Sequence, residues 1–237
     1  MKTIAIFGAG PALGLSVAKR FGKEGYRVAL VARRQESLDE LAADLPGVET
    51  ATFVADLADR ARLADTVDAI NARFGHIDVA LYSPGALDLI PVDVLDTDPD
   101  TVASQLDLLL YTPITLSRLL VPGMRERGDG ALLFASGTSA VEPNPRLGSA
   151  SIVLAGTRNY VRNLNAALAA EGVYAGVVPI GGLIQRSAVE KLLADGDHGF
   201  GDIDVASFPV LDPDDIAEVF WDLALKRDRA EEIVAAS

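Results

Sequence analysis

The seven residues Gly8-Ala9-Gly10-Pro11-Ala12-Leu13-Gly14 constrain this chain more than any other stretch. They follow a short apolar run, Thr3 to Phe7, and lead into Leu13, Val17, Ala18 and Phe21, whose spacing is helical. A strand that turns on glycines into a helix presents free backbone N–H groups at the positive end of the helix dipole, where an anion is favoured. Gly8 permits the tight turn, Gly10 lets the backbone approach a pyrophosphate without a Cβ in the way, and Gly14 lets the helix pack closely. With strand before and helix after, the turn predicts a dinucleotide site, against the plainer reading of a glycine-rich structural corner. Gly8, Gly10, Pro11, Ala12, Leu13 and Gly14 are the expected contacts, and Pro11 removes one N–H from the loop.

The rest of the chain repeats the strand-helix alternation. Arg27–Ala32, Thr50–Val54, Val79–Ser83, Ala131–Ala135 and Tyr174–Val178 are short apolar runs. Between them, Glu36–Asp44, Arg60–Phe74, Thr101–Met124 and Ile152–Ala170 read as helices. Continuous apolar runs, as opposed to alternation, mark strands covered on both faces, hence a parallel sheet. Repeated strand-helix units then predict an α/β, doubly wound Rossmann fold. With 237 residues, 49% of them hydrophobic, the chain can form one domain spanning 1–237. The rhythm breaks only at Gln185–Pro209, where Gly196, Gly199 and Gly201 interrupt a short helical stretch; a lid is expected there.

Charge narrows the partners. Lys and Arg number 21 against 34 Asp and Glu, a net charge of −13, which disfavours nucleic acid and anionic membrane surfaces. No leader or membrane-length apolar run is visible, so a cytoplasmic location is expected. The absence of cysteine excludes disulfides and thiolate chemistry, and the two histidines, His76 and His198, pair with no ligand at metal spacing, so no metal is expected. Against this acidic background Arg33-Arg34, just after the second strand, stands out. An NAD site usually has an acidic residue there for the ribose hydroxyls, whereas a guanidinium suits a 2′-phosphate, so NADP(H) is expected over NAD(H). A solvated surface pair at a helix start is the alternative. Asp56, after the third strand, has two even readings, an adenine contact or a helix cap.

With the turn, the basic pair, Ala55-Asp56-Leu57, Gly75-His76-Ile77-Asp78 and Val121-Pro122-Gly123-Met124 in order, the chain resembles the short-chain dehydrogenase/reductase superfamily from Met1 to about Ile184. The resemblance implies a seven-stranded Rossmann sheet and adds Leu57, Ser83, Gly85 and Ile184 as cofactor contacts, Ile184 near the nicotinamide carboxamide. It also implies a homodimer or homotetramer through the leucine-rich helix around Leu106–Leu120 and the helix after it. Ala12 stands where the family's middle glycine is expected, and Tyr82-Ser83-Pro84-Gly85 where Asn-Asn-Ala-Gly is usual.

The family's hydride-transfer chemistry uses a Tyr-x-x-x-Lys pair and a preceding serine, and this chain cannot supply the pair. Its tyrosines, Tyr26, Tyr82, Tyr111, Tyr160 and Tyr174, are followed four residues later by Leu30, Ala86, Thr115, Leu164 and Val178. By resemblance, Leu154 and Arg158 occupy the pair's spacing, Gly137 the serine's place, and Leu109 the neighbourhood of the relay asparagine. Three readings follow. An oxidoreductase could act on a small carbonyl, imine or enone with another proton relay, drawing on Ser136, Ser139, Arg158 or Tyr82. The chain could instead bind NADP(H) without turnover, as a sensor or a partner protein. It could also be a non-redox enzyme on the same scaffold.

Overall fold

A computed structural model describes residues 1–85, 91–194 and 209–235. The first strand, β1 (Thr3–Phe7), passes through the glycine turn into α1 (Leu13–Lys23). The chain continues through β2 (Arg27–Ala32), α2 (Gln35–Ala43), β3 (Thr50–Val54), a 3-10 turn at Arg60–Arg62, α3 (Leu63–Phe74) and β4 (Val79–Tyr82). There follow α4 (Pro99–Leu106), a π-helical turn (Asp107–Tyr111), α5 (Thr112–Arg127), β5 (Gly130–Gly137), α6 (Gly148–Leu168) and β6 (Val173–Gly181). The last elements are β7 (Leu183–Ile184), α7 (Ala188–Ala194), β8 (Val210–Leu211), α8 (Pro213–Lys226) and β9 (Val234–Ala235).

The main sheet runs β3-β2-β1-β4-β5-β6-β9, and every neighbouring pair is parallel. Strand order reverses direction beside β1, which opens a crevice at the carboxyl ends of β1 and β4; ligands bind at such switch points. Both faces are buried. On one, Ile4 and Ile6 pack with Leu13, Val17 and Phe21 of α1, Leu38 and Leu41 of α2, and Phe220 and Leu223 of α8. On the other, Ala5 and Phe7 pack with Val67 and Ile70 of α3, Leu116 and Met124 of α5, and Val161 and Leu168 of α6. This two-sided burial is why the strands read as apolar runs.

The seven strands are those the resemblance implies, but helix boundaries and the last strands were not legible in the periodicity. The predicted helix Thr101–Met124 is instead α4 and α5 joined by the π-helical turn, and α6 begins at Gly148, four residues before the predicted Ile152. The seventh strand, β9, is a two-residue pairing of Val234 and Ala235 with Ile180 and Gly181, too short for a periodicity signal. A small second sheet, β7-β8, was likewise unpredicted. Of the expected lid, Gln185 to the end of α7 and Pro209 are described; the remainder, with His198, lies outside the described residues. Caps follow the acidic loops: Asp98 accepts from Thr101 N at the start of α4, and Asp212 from Asp214 N at the start of α8.

The π-helical turn widens the ring of backbone bonds and turns carbonyls outward. Three hydroxyl bonds hold it in place. Tyr82 Oη donates to Leu108 O at 2.6 Å, Thr157 Oγ1 to Leu109 O at 2.5 Å, and Thr112 Oγ1, just beyond the turn, to Leu57 O at 2.6 Å. Tyr82 is 3% exposed, and replacing it by Phe would remove the donor to the half-buried Leu108 carbonyl. Tyr82→Phe is expected to cost about 1–3 kcal/mol in urea unfolding without changing the helical circular dichroism. An unchanged urea midpoint would mean the turn does not depend on this bond.

Candidate cofactor and active site

The glycine turn is fixed to the sheet by backbone bonds: Gly8 N and Ala9 N both donate to Val31 O, at 3.0 and 2.9 Å. Gly8 has φ +94, and a Cβ there would stand 2.5 Å from Ser83 O and 2.6 Å from Pro84 Cα. Glycine is therefore required twice over at Gly8, by conformation and by the passage of the chain leaving β4. At Gly14 the tight approach is to the turn itself and not, as expected, to the sheet: a Cβ would stand 3.0 Å from Ala9 Cα. Around Gly10, by contrast, no described residue other than its chain neighbours comes within 4 Å of the Cβ position. The helix starts at Leu13 after Ala12, with no side-chain cap. An uncapped helix start behind an open glycine is what an anionic diphosphate needs.

The flanking contacts fall into place around this crevice. Ser83 N donates to Phe7 O at 2.9 Å, so Ser83 and Pro84 form the wall opposite the turn, and no described residue other than its chain neighbours comes within 4 Å of a Cβ on Gly85. On the other side Ala55 N donates to Ala32 O at 3.0 Å, which sets Arg33 beside Asp56. Both line a cleft of about 810 Å³ along the edge strand β3, with Val54 and Arg62. Asp56 turns its carboxylate onto Ala58 N at 3.0 Å, so it closes a local turn and caps no helix. Leu57 is buried beneath it. Arg34 is exposed and immediately precedes α2. Ile184 lies in β7 and packs against the core beyond the carboxyl end of β6.

At the substrate end the structure brings Gly137 and Leu154 together. A Cβ on Gly137 would touch Leu154 Cδ1 at 3.4 Å and stand 3.7 Å from Ser139 Oγ. The 3-10 turn Thr138–Ala140 folds Ser139 back toward the end of β5, and among the described residues nothing engages its hydroxyl in a hydrogen bond. Ser136 differs: its Oγ is sealed from solvent and has no hydrogen-bond partner. Arg158 is held by Glu231 through two bonds, Nε–Oε2 at 2.5 Å and Nη2–Oε1 at 2.7 Å, and its pKa is raised by that hydrogen-bonded pairing. Tyr82 belongs to the core; burial pushes its hydroxyl far above the usual tyrosine range, and its proton is committed to Leu108 O.

Sequence reasoning missed Glu231, Thr157 and Arg62. Glu231 is 73 residues from Arg158, and Thr157 meets a carbonyl only because of the π-helical turn, so neither contact leaves a local signal. Arg62 has one legible hint, its place just before a helix beside the third strand.

The model for the short chain dehydrogenase family matches residues 2–195. This chain therefore belongs to that family. It is 29% identical over 177 residues to a very-long-chain 3-oxoacyl-CoA reductase of Anas platyrhynchos, an alignment covering 71% of this chain. That alignment spans about half (55%) of the relative's length. Among solved structures, L-sorbose reductase from Gluconobacter frateurii, complexed with NADPH and L-sorbose, superposes with TM-score 0.82 at 22% identity, covering 99% of this chain and 95% of that one. A short-chain oxidoreductase from Pseudomonas aeruginosa described as containing an atypical catalytic center gives TM-score 0.83 at 19% identity, covering 99% and 95%. These likenesses establish the fold: a seven-stranded parallel Rossmann sheet flanked by helices. Among the described residues no helix is long and apolar enough to cross a membrane.

The two glycines separate conformation from ligand space. Gly8→Ala is expected to destabilise the fold by at least ~2 kcal/mol, from left-handed strain and overlap with Ser83 and Pro84. Gly10→Ala is expected to leave the thermal midpoint within a degree or two, since its methyl meets no described residue beyond its chain neighbours. Equal midpoints for the two variants in a thermal melt would sink this account of the turn.

Proposed function

We propose that this chain is an NADP(H)-dependent oxidoreductase whose substrate needs no proton from the protein: a small activated alkene such as an enone, or an iminium. The observation that carries this reading is the pairing of an open glycine turn with a Gly137–Leu154 contact where the family places its serine and tyrosine. NADPH, when bound, supplies a hydride to the substrate carbon. Gly8 to Gly14 and the uncapped start of α1 would hold the diphosphate, Arg33 the 2′-phosphate, and Ile184 the nicotinamide end. The occurrence of NADPH in the L-sorbose reductase complex agrees with that choice of cofactor.

Leu154 makes the wall beside Gly137 apolar, which excludes water from the face where a tyrosine hydroxyl would stand. Of the four candidate polar residues, Ser139 is the one whose group is neither sealed nor hydrogen-bonded among the described residues. In this reading its hydroxyl orients the electron-withdrawing oxygen of the substrate, and the proton that completes the reduction comes from water. An activated alkene or iminium fits because it already carries the polarisation that an acid would otherwise induce. Arg158, engaged by Glu231, serves as a tie between α6 and the C-terminal segment. The leucine-rich faces of α5 and α6 fit a homo-oligomer, checked by light scattering at micromolar concentration.

A second reading, cofactor binding without turnover, is favoured by the same Arg158–Glu231 pair and the sealed Ser136, which leave little proton-transfer machinery. Calorimetric titration with NADPH and NADH, followed by an enone and iminium panel monitored as loss of NADPH absorbance, distinguishes the readings. The proposed activity requires NADPH to bind more tightly than NADH, Gly10→Ala to weaken that binding, and Ser139→Ala to lower turnover on the panel. Tight binding with no oxidation across the panel would favour the second reading, and no binding of either nucleotide would overturn both.

A further inference from the structure

The short strands β7 and β8 are sewn together beside the start of α7. Leu183 N donates to Pro209 O at 2.8 Å and Gln185 N to Leu211 O at 3.0 Å. Gly182 admits no side chain here, since a Cβ would stand 2.5 Å from Pro209 O. Arg186 follows at once with φ +63, in the left-handed region that is unfavourable for any residue with a Cβ. Among the described residues one other non-glycine has a positive φ, Arg227, and it closes α8, where a left-handed residue is common. Arg186 ends no helix, so the contacts around it must offset the strain.

Among the described residues three carboxylates hold it. Arg186 N donates to Glu190 in the first turn of α7, whose own N–H donates to Ser187 Oγ at 3.1 Å. Arg186 Nη2 stands 3.1 Å from Asp212 Oδ1 and 3.1 Å from Asp214 Oδ2, at the start of α8. The Arg186 side chain is 51% exposed, and ion pairs that open to water add little stability. Strain and ties are therefore of the same order, and such a balance lets a modest change in charge move an element from one arrangement to another.

Asp214 connects this balance to the glycine turn. Its Oδ1 accepts from Ser16 Oγ at 2.5 Å, and Ser16 lies buried in the opening turn of α1, the helix that starts behind the glycines. The Ser16 hydroxyl, with Arg186 beside it, holds the Asp214 carboxyl below the usual carboxylate range, so it is charged near neutrality. An anion at the start of α1 repels Asp212 and Asp214 and attracts Arg186, and both effects pull the contact apart. We propose that Arg186 is a latch that fastens the start of α7 to α8 and, through Asp214 and Ser16, to α1, and that a diphosphate arriving at the glycine turn releases it. The inference rests on the proposed cofactor and adds to it a conformational response at residues that no cofactor contact named above includes.

The test is hydrogen exchange of the full chain, read over residues 183–191 with and without NADPH, with calorimetry on the same samples to record binding. NADPH is expected to speed exchange of the Ser187–Glu190 amides by about fivefold, the scale of one or two half-exposed ion pairs. Arg186→Gln is expected to exchange fast from the start and to gain nothing from NADPH, with Asp214→Asn, which keeps an acceptor for Ser16, falling between the two. The amides of Leu183 and Gln185 are expected to stay protected throughout, which separates release of a latch from loss of the local fold. 2′-AMP, which has no diphosphate, is expected to change nothing. Binding of NADPH without the rise, the same rise in Arg186→Gln or with 2′-AMP, or a rise that includes Leu183 and Gln185 would overturn the inference and leave the cofactor reading standing. Failure of the native protein to bind NADPH would overturn the cofactor reading, and this inference with it.

Discussion

The close passage of two backbones at the carboxyl edge of the sheet governs everything that happens there. Ser83 and Pro84 run within 2.5–2.6 Å of the place where a side chain on Gly8 would begin, and Ser83 N reaches back to Phe7 O. That closeness fixes β1 beside β4 at the reversal of strand order, and from it follow the positions of the turn, of α1 and of the wall across from them. A side chain at position 8 would have to push β4 away, and the parallel register Phe7↔Tyr82 just below leaves it no room to move. The crevice is thus a product of packing, built whether or not a ligand arrives.

The second organising element is the π-helical turn between α4 and α5. Its outward carbonyls take hydroxyls from β4 and α6, while Thr112 beyond it holds Leu57 in the loop that follows β3. Arg60 adds an ion pair to Asp107 and lies 5.0 Å over the Tyr111 ring. The loop beside Asp56 and the helix carrying Leu154 therefore lean on the same five residues. In the family pattern a relay asparagine stands near this turn; here Leu109 offers only its carbonyl, and Thr157 occupies it.

The fold was legible because two-sided burial leaves its mark in composition: Ile4-Ala5-Ile6-Phe7 and Val28-Ala29-Leu30-Val31 have no polar face to hide. The glycine turn was legible because backbone clearance permits so few residue types at Gly8. What stayed hidden depends on contacts across the chain. The break at Asp107–Tyr111 lies inside an unbroken helical pattern of leucines, so periodicity ran straight through it. The Arg158–Glu231 pair joins α6 to the C-terminal segment through a contact that no local spacing announces. Ser136 and Ser139 look alike on paper, three residues apart after one strand. Only the 3-10 turn at Thr138–Ala140 separates a sealed hydroxyl from one that faces the Gly137–Leu154 contact.

The two halves of the crevice answer to different physics, and that explains how one can keep the family pattern while the other departs from it. Binding of a diphosphate draws on backbone N–H groups and the helix dipole, which any sequence retains so long as Gly8 keeps the turn in shape. Proton transfer draws on particular side chains whose ionisation must be tuned, and replacing a tyrosine and a lysine by Leu154 and Arg158 removes it without disturbing the sheet. Arg158 cannot substitute as an acid, since a guanidinium does not release its proton near neutrality and Glu231 strengthens its hold further. Under the proposed function, chemistry in such a crevice is restricted to acceptors polarised before they arrive. On that proposal the apolar Leu154 side chain beside Gly137 suits such acceptors, since it offers water no hydrogen bond there.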